Sequence, residues 1–138
     1  DGPIYVGSHG GWLVALSADG RELWSFETED RHHWRDPPVR LSQVREYVKD
    51  HPHPALRTSP RIDPQGTVVF AGGWNFLYAV TPTAKLVWKL DVGGAIVLQP
   101  TLSPTGTVYC VIVKHRAGGR VWNLVAIRTA ENPRPGAR

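Results

Sequence analysis

Four histidines fall in one short polar stretch, His32 and His33 near its start and His51 and His53 near its end. Imidazole nitrogens ligate zinc and other transition metals, and side chains from both ends of a helix can meet around one ion. The spacing favours a plainer reading. Adjacent or next-but-one histidines set among Pro37, Pro38, Pro52 and Pro54 make a poor tetrahedral site, and no cysteine assists. They are weak metal candidates, and the plainer account is a solvated loop. A serine also stands beside a histidine in Gly7-Ser8-His9-Gly10-Gly11. The order is not the Gly-x-Ser-x-Gly of a nucleophile elbow, and the glycines mark a tight reversal. Cys110 is the single cysteine. It allows neither an internal disulfide framework nor the Cys-x-x-Cys-His attachment of a covalent haem. No phosphate-cradling or dinucleotide-type glycine loop is present. These residues nominate no catalytic set, no cofactor and no firm metal site, and an enzyme is the less favoured reading.

Composition narrows the classes further. Apolar residues make up 41% of the 138, charged residues 20%, and like charges never run long, which argues for a folded domain. Fourteen Gly and twelve Pro punctuate the chain as in an all-β fold with many turns. The formal charge of +4 is scattered, without the basic and aromatic interleaving of a nucleic-acid surface, so no nucleic acid is expected as a partner. No apolar run approaches the ~20 residues of a membrane-spanning helix. The chain begins at Asp1 and has no methionine, so the start is expected to be a processed or truncated one.

The elements that must position any surface are repeated. Phe76 to Leu90 reads FLYAVTPTAKLVWKL, a short strand, a polar turn and a second strand with Trp88. The stretch 64 residues earlier, WLVALSADGRELWSF, matches it without a gap. Leu13 falls on Leu77, Ala15 on Ala79 and Trp24 on Trp88. Before it, PIYVGS alternates as a strand, and Asp19-Gly20 is a strong hairpin signal. A shift of 40 maps Pro60, Ile62, Pro64, Gly66, Thr67 and Val68 onto Pro100, Leu102, Pro104, Gly106, Thr107 and Val108. Ala126 answers Ala79 and Leu124 answers Leu77, with a hairpin lengthened by Lys114 to Arg120. The period is therefore near 40, and 64 is that period plus an insertion. The spacing predicts a partial unit over 1–26, a polar insertion over 27–57, a complete unit over 58–92, a partial unit over 95–129 and a loose tail over 130–138. Within the insertion a short helix is expected near 39–50. Asp36 caps it, Pro37 or Pro38 occupies its first turn, and Leu41, Val44 and Val48 recur at helical spacing.

Four strands repeated every forty or so residues are the mark of β-propeller blades, each a four-stranded antiparallel sheet that hides its faces against its neighbours. Trp24 and Trp88 suit the seam between sheets, and Ala15, Ala79 and Ala126 suit a position too close for anything larger. The stretches IYVGSHGGWLVALSADGRELWSF, TVVFAGGWNFLYAVTPTAKLVWKL and, degraded, TVYCVIVKHRAGGRVWNLVAI resemble the pyrroloquinoline-quinone-like (PQQ-like) propeller repeat, T-V-Y-x-G-S-x-x-G-x-L-Y-A-L-x-x-x-G-x-x-x-W-x-F. In the middle unit Ala84 replaces the usual turn glycine and Gly72-Gly73-Trp74 the usual Gly-Ser. The resemblance implies rings of about seven or eight blades, as in quinoprotein alcohol dehydrogenases, a propeller lipoprotein of outer-membrane assembly, and sensors or scaffolds. It also implies a periplasmic or otherwise extracytoplasmic location. The dehydrogenase site implied by the family needs paired adjacent cysteines and an acidic calcium set, which this sequence does not match.

One complete and two partial blades form an arc that cannot close alone. A longer parent chain, further copies or another chain would complete it, or the three units make a smaller open sandwich. The expected function is a non-catalytic scaffold for protein–protein contact, with other blades or a protein as partner. Trp34, Arg45 and Tyr47 in the insertion are candidates for the contact surface, since long insertions in repeats commonly bind. An arc of a larger quinoprotein-type enzyme and a ligand-sensing receptor domain are the alternatives.

Overall fold

The computed structural model describes residues 2–7, 11–29, 58–73 and 75–128. The expected helix, the tail and Ser8, His9 and Trp74 lie outside the described residues. All regular elements among the described residues are strands, and the protein is all-β. The first sheet is an antiparallel meander of β1 (Ile4–Gly7), β2 (Trp12–Leu16) and β3 (Glu22–Glu27). The middle sheet runs in order through β4 (Arg61–Ile62), β5 (Val68–Gly72), β6 (Phe76–Val80) and β7 (Leu86–Asp91). In the last sheet β10 (Thr107–Arg116) pairs on one side with β11 (Gly119–Arg128). On its other side it pairs with both β8 (Ala95–Ile96) and β9 (Thr101–Leu102). Regular pairing at the start of the middle sheet is confined to Arg61–Ile62 rather than reaching back to Thr58, as the missing N–H of Pro60 requires.

Four turns share one construction, which is why the repeat is legible. Ser17, Asp63, Thr81 and Ser103 each accept, on the backbone carbonyl, the N–H three residues on, and each places a side-chain oxygen on the N–H four residues on. A serine, threonine or aspartate at the first position thus caps the turn that joins the strands. The residue at the fourth position must take the left-handed conformation. Gly20, Gly66 and Gly106 do so at φ of 82° to 86°. Ala84, the departure from the repeat, keeps the same backbone at φ 63°, with the Cβ crowding a glycine would avoid.

The sheets stack face to face in chain order. Between the first and middle sheets Leu13, Val68, Phe70, Tyr78 and Val80 form a buried cluster edged by Tyr5, Trp24, Phe26 and Phe76. The opposite face of the middle sheet supplies Val69, Ala71, Leu77 and Ala79, which pack with Val108, Cys110 and Ile112 of the last sheet. The middle sheet is buried on both faces, so β5 reads as an unbroken apolar run, VVFAG, while β3 alternates. Gly72 leaves no room for a side chain at the first seam. A Cβ there would lie 2.7 Å from the Tyr78 ring and 2.9 Å from Thr28 Cγ2.

Candidate interaction surfaces

The repeat residues are brought together at two seams. Trp24 lies opposite Ala15, and Phe26 opposite Leu13, all on the face turned to the middle sheet. The Trp24 indole N–H donates to the Pro82 carbonyl at 2.8 Å, in the turn between β6 and β7, and its ring meets Tyr5 at 5.6 Å. The edge strand of one sheet is thereby tied to a turn of the next. At the second seam Trp88 lies opposite Ala79 and packs against the Val108–Cys110–Ile112 cluster. Both alanines are fully buried, as expected of a position beneath an indole and against a neighbouring sheet.

Polar contacts stitch the seams. Near the first, Lys89 Nζ sits 3.2 Å from Glu29 and 4.2 Å from the centroid of the Phe76 ring, a partly desolvated ammonium over an aromatic face. On the β4 and β9 side of the second seam, Arg61 Nε donates to the Pro100 carbonyl at 3.4 Å and the Gln99 amide to the Ser59 carbonyl at 3.2 Å. Asp91 carries a carboxyl held below its ordinary range, first by the Gly93 N–H and then by the Asn75 side chain, with Lys114 and Lys89 adding attraction. Asp19 is likewise lowered, by the Ser17 hydroxyl and then by Arg21, within its exposed turn.

The third unit departs from the first two. Leu13 and Leu77 are 0% exposed, whereas Leu124 at the same repeat position is 71% exposed, and Ala126 is exposed beside it. Val111, Leu124, Tyr109 and Ala126 line the face of the last sheet turned away from the core. The mirror situation holds at the other end. Val68, Phe70, Tyr78 and Val80 are buried in the middle sheet, but their counterparts Ile4 and Val6 are 52% and 45% exposed, and Val14 and Leu16 are half-buried. Each end of the stack therefore presents an apolar face whose internal equivalent is covered by a sheet.

The lengthened β10–β11 hairpin gathers Lys114, His115, Arg116 and Arg120 at one tip, a basic cluster that scattered charges along the chain conceal. Cys110 is a free buried thiol, and burial pushes it up from its ordinary value. In the folded protein it should react with iodoacetamide at least about a hundredfold more slowly than in denaturant, because the attacking thiolate forms only on opening. Equal rates in the two states would show that the second seam is not closed. Among the described residues no group of three or more His, Cys, Asp or Glu side chains is placed to hold a metal ion. His32, His33, His51 and His53, and with them Trp34, Arg45 and Tyr47, lie outside the described residues. No helix among the described residues is long and apolar enough to cross a membrane. No family model matches the chain, and no curated protein does.

Proposed function

We propose that the chain is a non-catalytic segment of a PQQ-like β-propeller that serves as a protein-interaction scaffold, with its two end faces as the surfaces that receive further sheets. The observation that carries this reading is the contrast between Leu13 and Leu77, fully buried, and Leu124, exposed at the same repeat position. A face that repeats a buried interface residue by residue is complementary to a sheet of the same kind. Exposed apolar patches of this sort mark interaction sites in soluble proteins. The quinone-enzyme alternative finds no support in the seam residues, which are apolar and aromatic. An extracytoplasmic location belongs to the proposal through the resemblance of the repeat.

The test is the mass of the protein in solution as a function of concentration. The wild type is expected to associate beyond 15.3 kDa through its end faces. An Ile4→Lys/Val6→Lys double variant should need at least about tenfold higher concentration to do so, since two ammonium groups would have to be desolvated in the contact. A wild type that stays a 15.3 kDa monomer and binds no apolar dye would overturn the reading.

A further inference from the structure

Among the described residues, the first and middle sheets each carry a strand with no counterpart in the last sheet. β3 pairs with β2, placing Trp24 opposite Ala15 and Phe26 opposite Leu13. β7 pairs with β6, placing Trp88 opposite Ala79 and Leu90 opposite Leu77. Both ladders shift register just past the alanine, between Ala15 and Leu16 and between Ala79 and Val80. β11 occupies the place of β2 and β6, with Leu124 and Ala126 at the matching positions. Among the described residues it pairs only with β10. We propose that the free edge of β11 binds an extended segment of a partner protein as an antiparallel fourth strand. The segment sets a tryptophan opposite Ala126 and a large apolar residue, two positions further on, opposite Leu124.

The character of the edge supports this independently. Proteins guard exposed edges with short strands, charges, prolines or bulges. β1 has 4 residues and β4 only 2, while β3 is flanked by Glu22 and Glu27 and β7 contains Lys89 and Asp91. β11 has 10 residues and no lysine, proline or charged side chain between Arg120 and Arg128. Strand addition to such an edge gains backbone hydrogen bonds, and alternate side chains supply selectivity. The internal ladders define that selectivity as apolar-Trp-x-apolar, read in Leu23-Trp24-Ser25-Phe26 and Val87-Trp88-Lys89-Leu90. β11 itself carries Val121-Trp122-Asn123-Leu124. A second copy pairing through β11 would, however, bring its own middle sheet, whose β7 extends one strand beyond β6 on the same side. That strand would overlie a place already filled by β6, so a lone extended segment fits and a whole second copy does not.

The proposal deepens the scaffold reading by naming what one edge binds. Its test avoids the first-sheet face, so either can fail without the other. The probe is a synthetic peptide of residues 82–92, PTAKLVWKLDV, added to dilute monomeric protein, with amide hydrogen exchange read across the chain. Exchange over 121–127 is expected to slow at least about tenfold at saturation. The peptide with Trp88→Ala should bind about tenfold more weakly or worse, and Ala126→Arg in the protein should have a similar effect. Equal binding of the two peptides, protection over 76–80 in place of β11, or β11 amides already protected without peptide would each overturn it. So would mass measurements showing that copies pair through β11 instead.

Discussion

Replacing Phe70 by alanine should cost about 3–5 kcal/mol, a large part of the 5–15 kcal/mol that holds a domain of this size together. Phe70 is fully buried, stacks on Tyr78 at 5.4 Å and meets Phe26 edge-on at 6.1 Å. It touches aromatic partners in both the first and the middle sheet, so its loss opens a cavity at the seam rather than within one sheet. Neither Tyr78 nor Phe26 is positioned to fill the void, since Phe26 meets Tyr78 edge-on at 6.1 Å and both rings are tied to their own ladders. Guanidinium denaturation is the measurement. Phe70→Leu, which leaves most of the volume, should lose only about 1 kcal/mol and supplies a readable variant where the alanine protein does not fold. A Phe70→Ala protein within about 1 kcal/mol of the wild type would mean that the two sheets are not packed on one another.

What the sequence made legible follows from what repeats encode. A serine, threonine or aspartate followed three residues later by glycine or Ala84 specifies the turn by local hydrogen bonds, and all four such turns are found. The two-residue pleat of β2 and β6 puts Leu13 with Ala15, and Leu77 with Ala79, on one face, so their recurrence in the repeat could assign them to seams although both strands are apolar throughout. The seam contacts themselves were not legible. The bond from Trp24 to the Pro82 carbonyl joins residues 58 apart, and no local pattern records such a pairing. Nor does a repeat position reveal whether a neighbour exists to cover it, which is why Leu124 and Ala126 look like core residues in the sequence and are exposed in the fold. β8 was missed because Ala95–Ile96 is only two residues long, and its place is set by its ladder to Ile112 and Val113 and by Ile96 packing on the core at the second seam, neither of which a local pattern records. The basic tip is similar: Arg120 reaches His115 only through the register of the hairpin.

The same substitution at three equivalent positions should therefore give two large effects and one small one. Leu13→Ala and Leu77→Ala each empty a fully buried site at a seam and should each cost about 2–5 kcal/mol. Leu124→Ala removes the same atoms from a side chain that is 71% exposed and should fall within about 0.5 kcal/mol of the wild type. Intrinsic strand preference is common to all three changes, so the difference isolates burial by the neighbouring sheet. Denaturant midpoints at a protein concentration too low for association provide the comparison. Repeating Leu124→Ala with the Trp-bearing peptide bound should raise its cost, because the fourth strand places an apolar residue against Leu124 and removes it from water. Three equal losses in the unbound protein would contradict the arrangement of the sheets, since they would require a cover over the last sheet as complete as the ones over the first two.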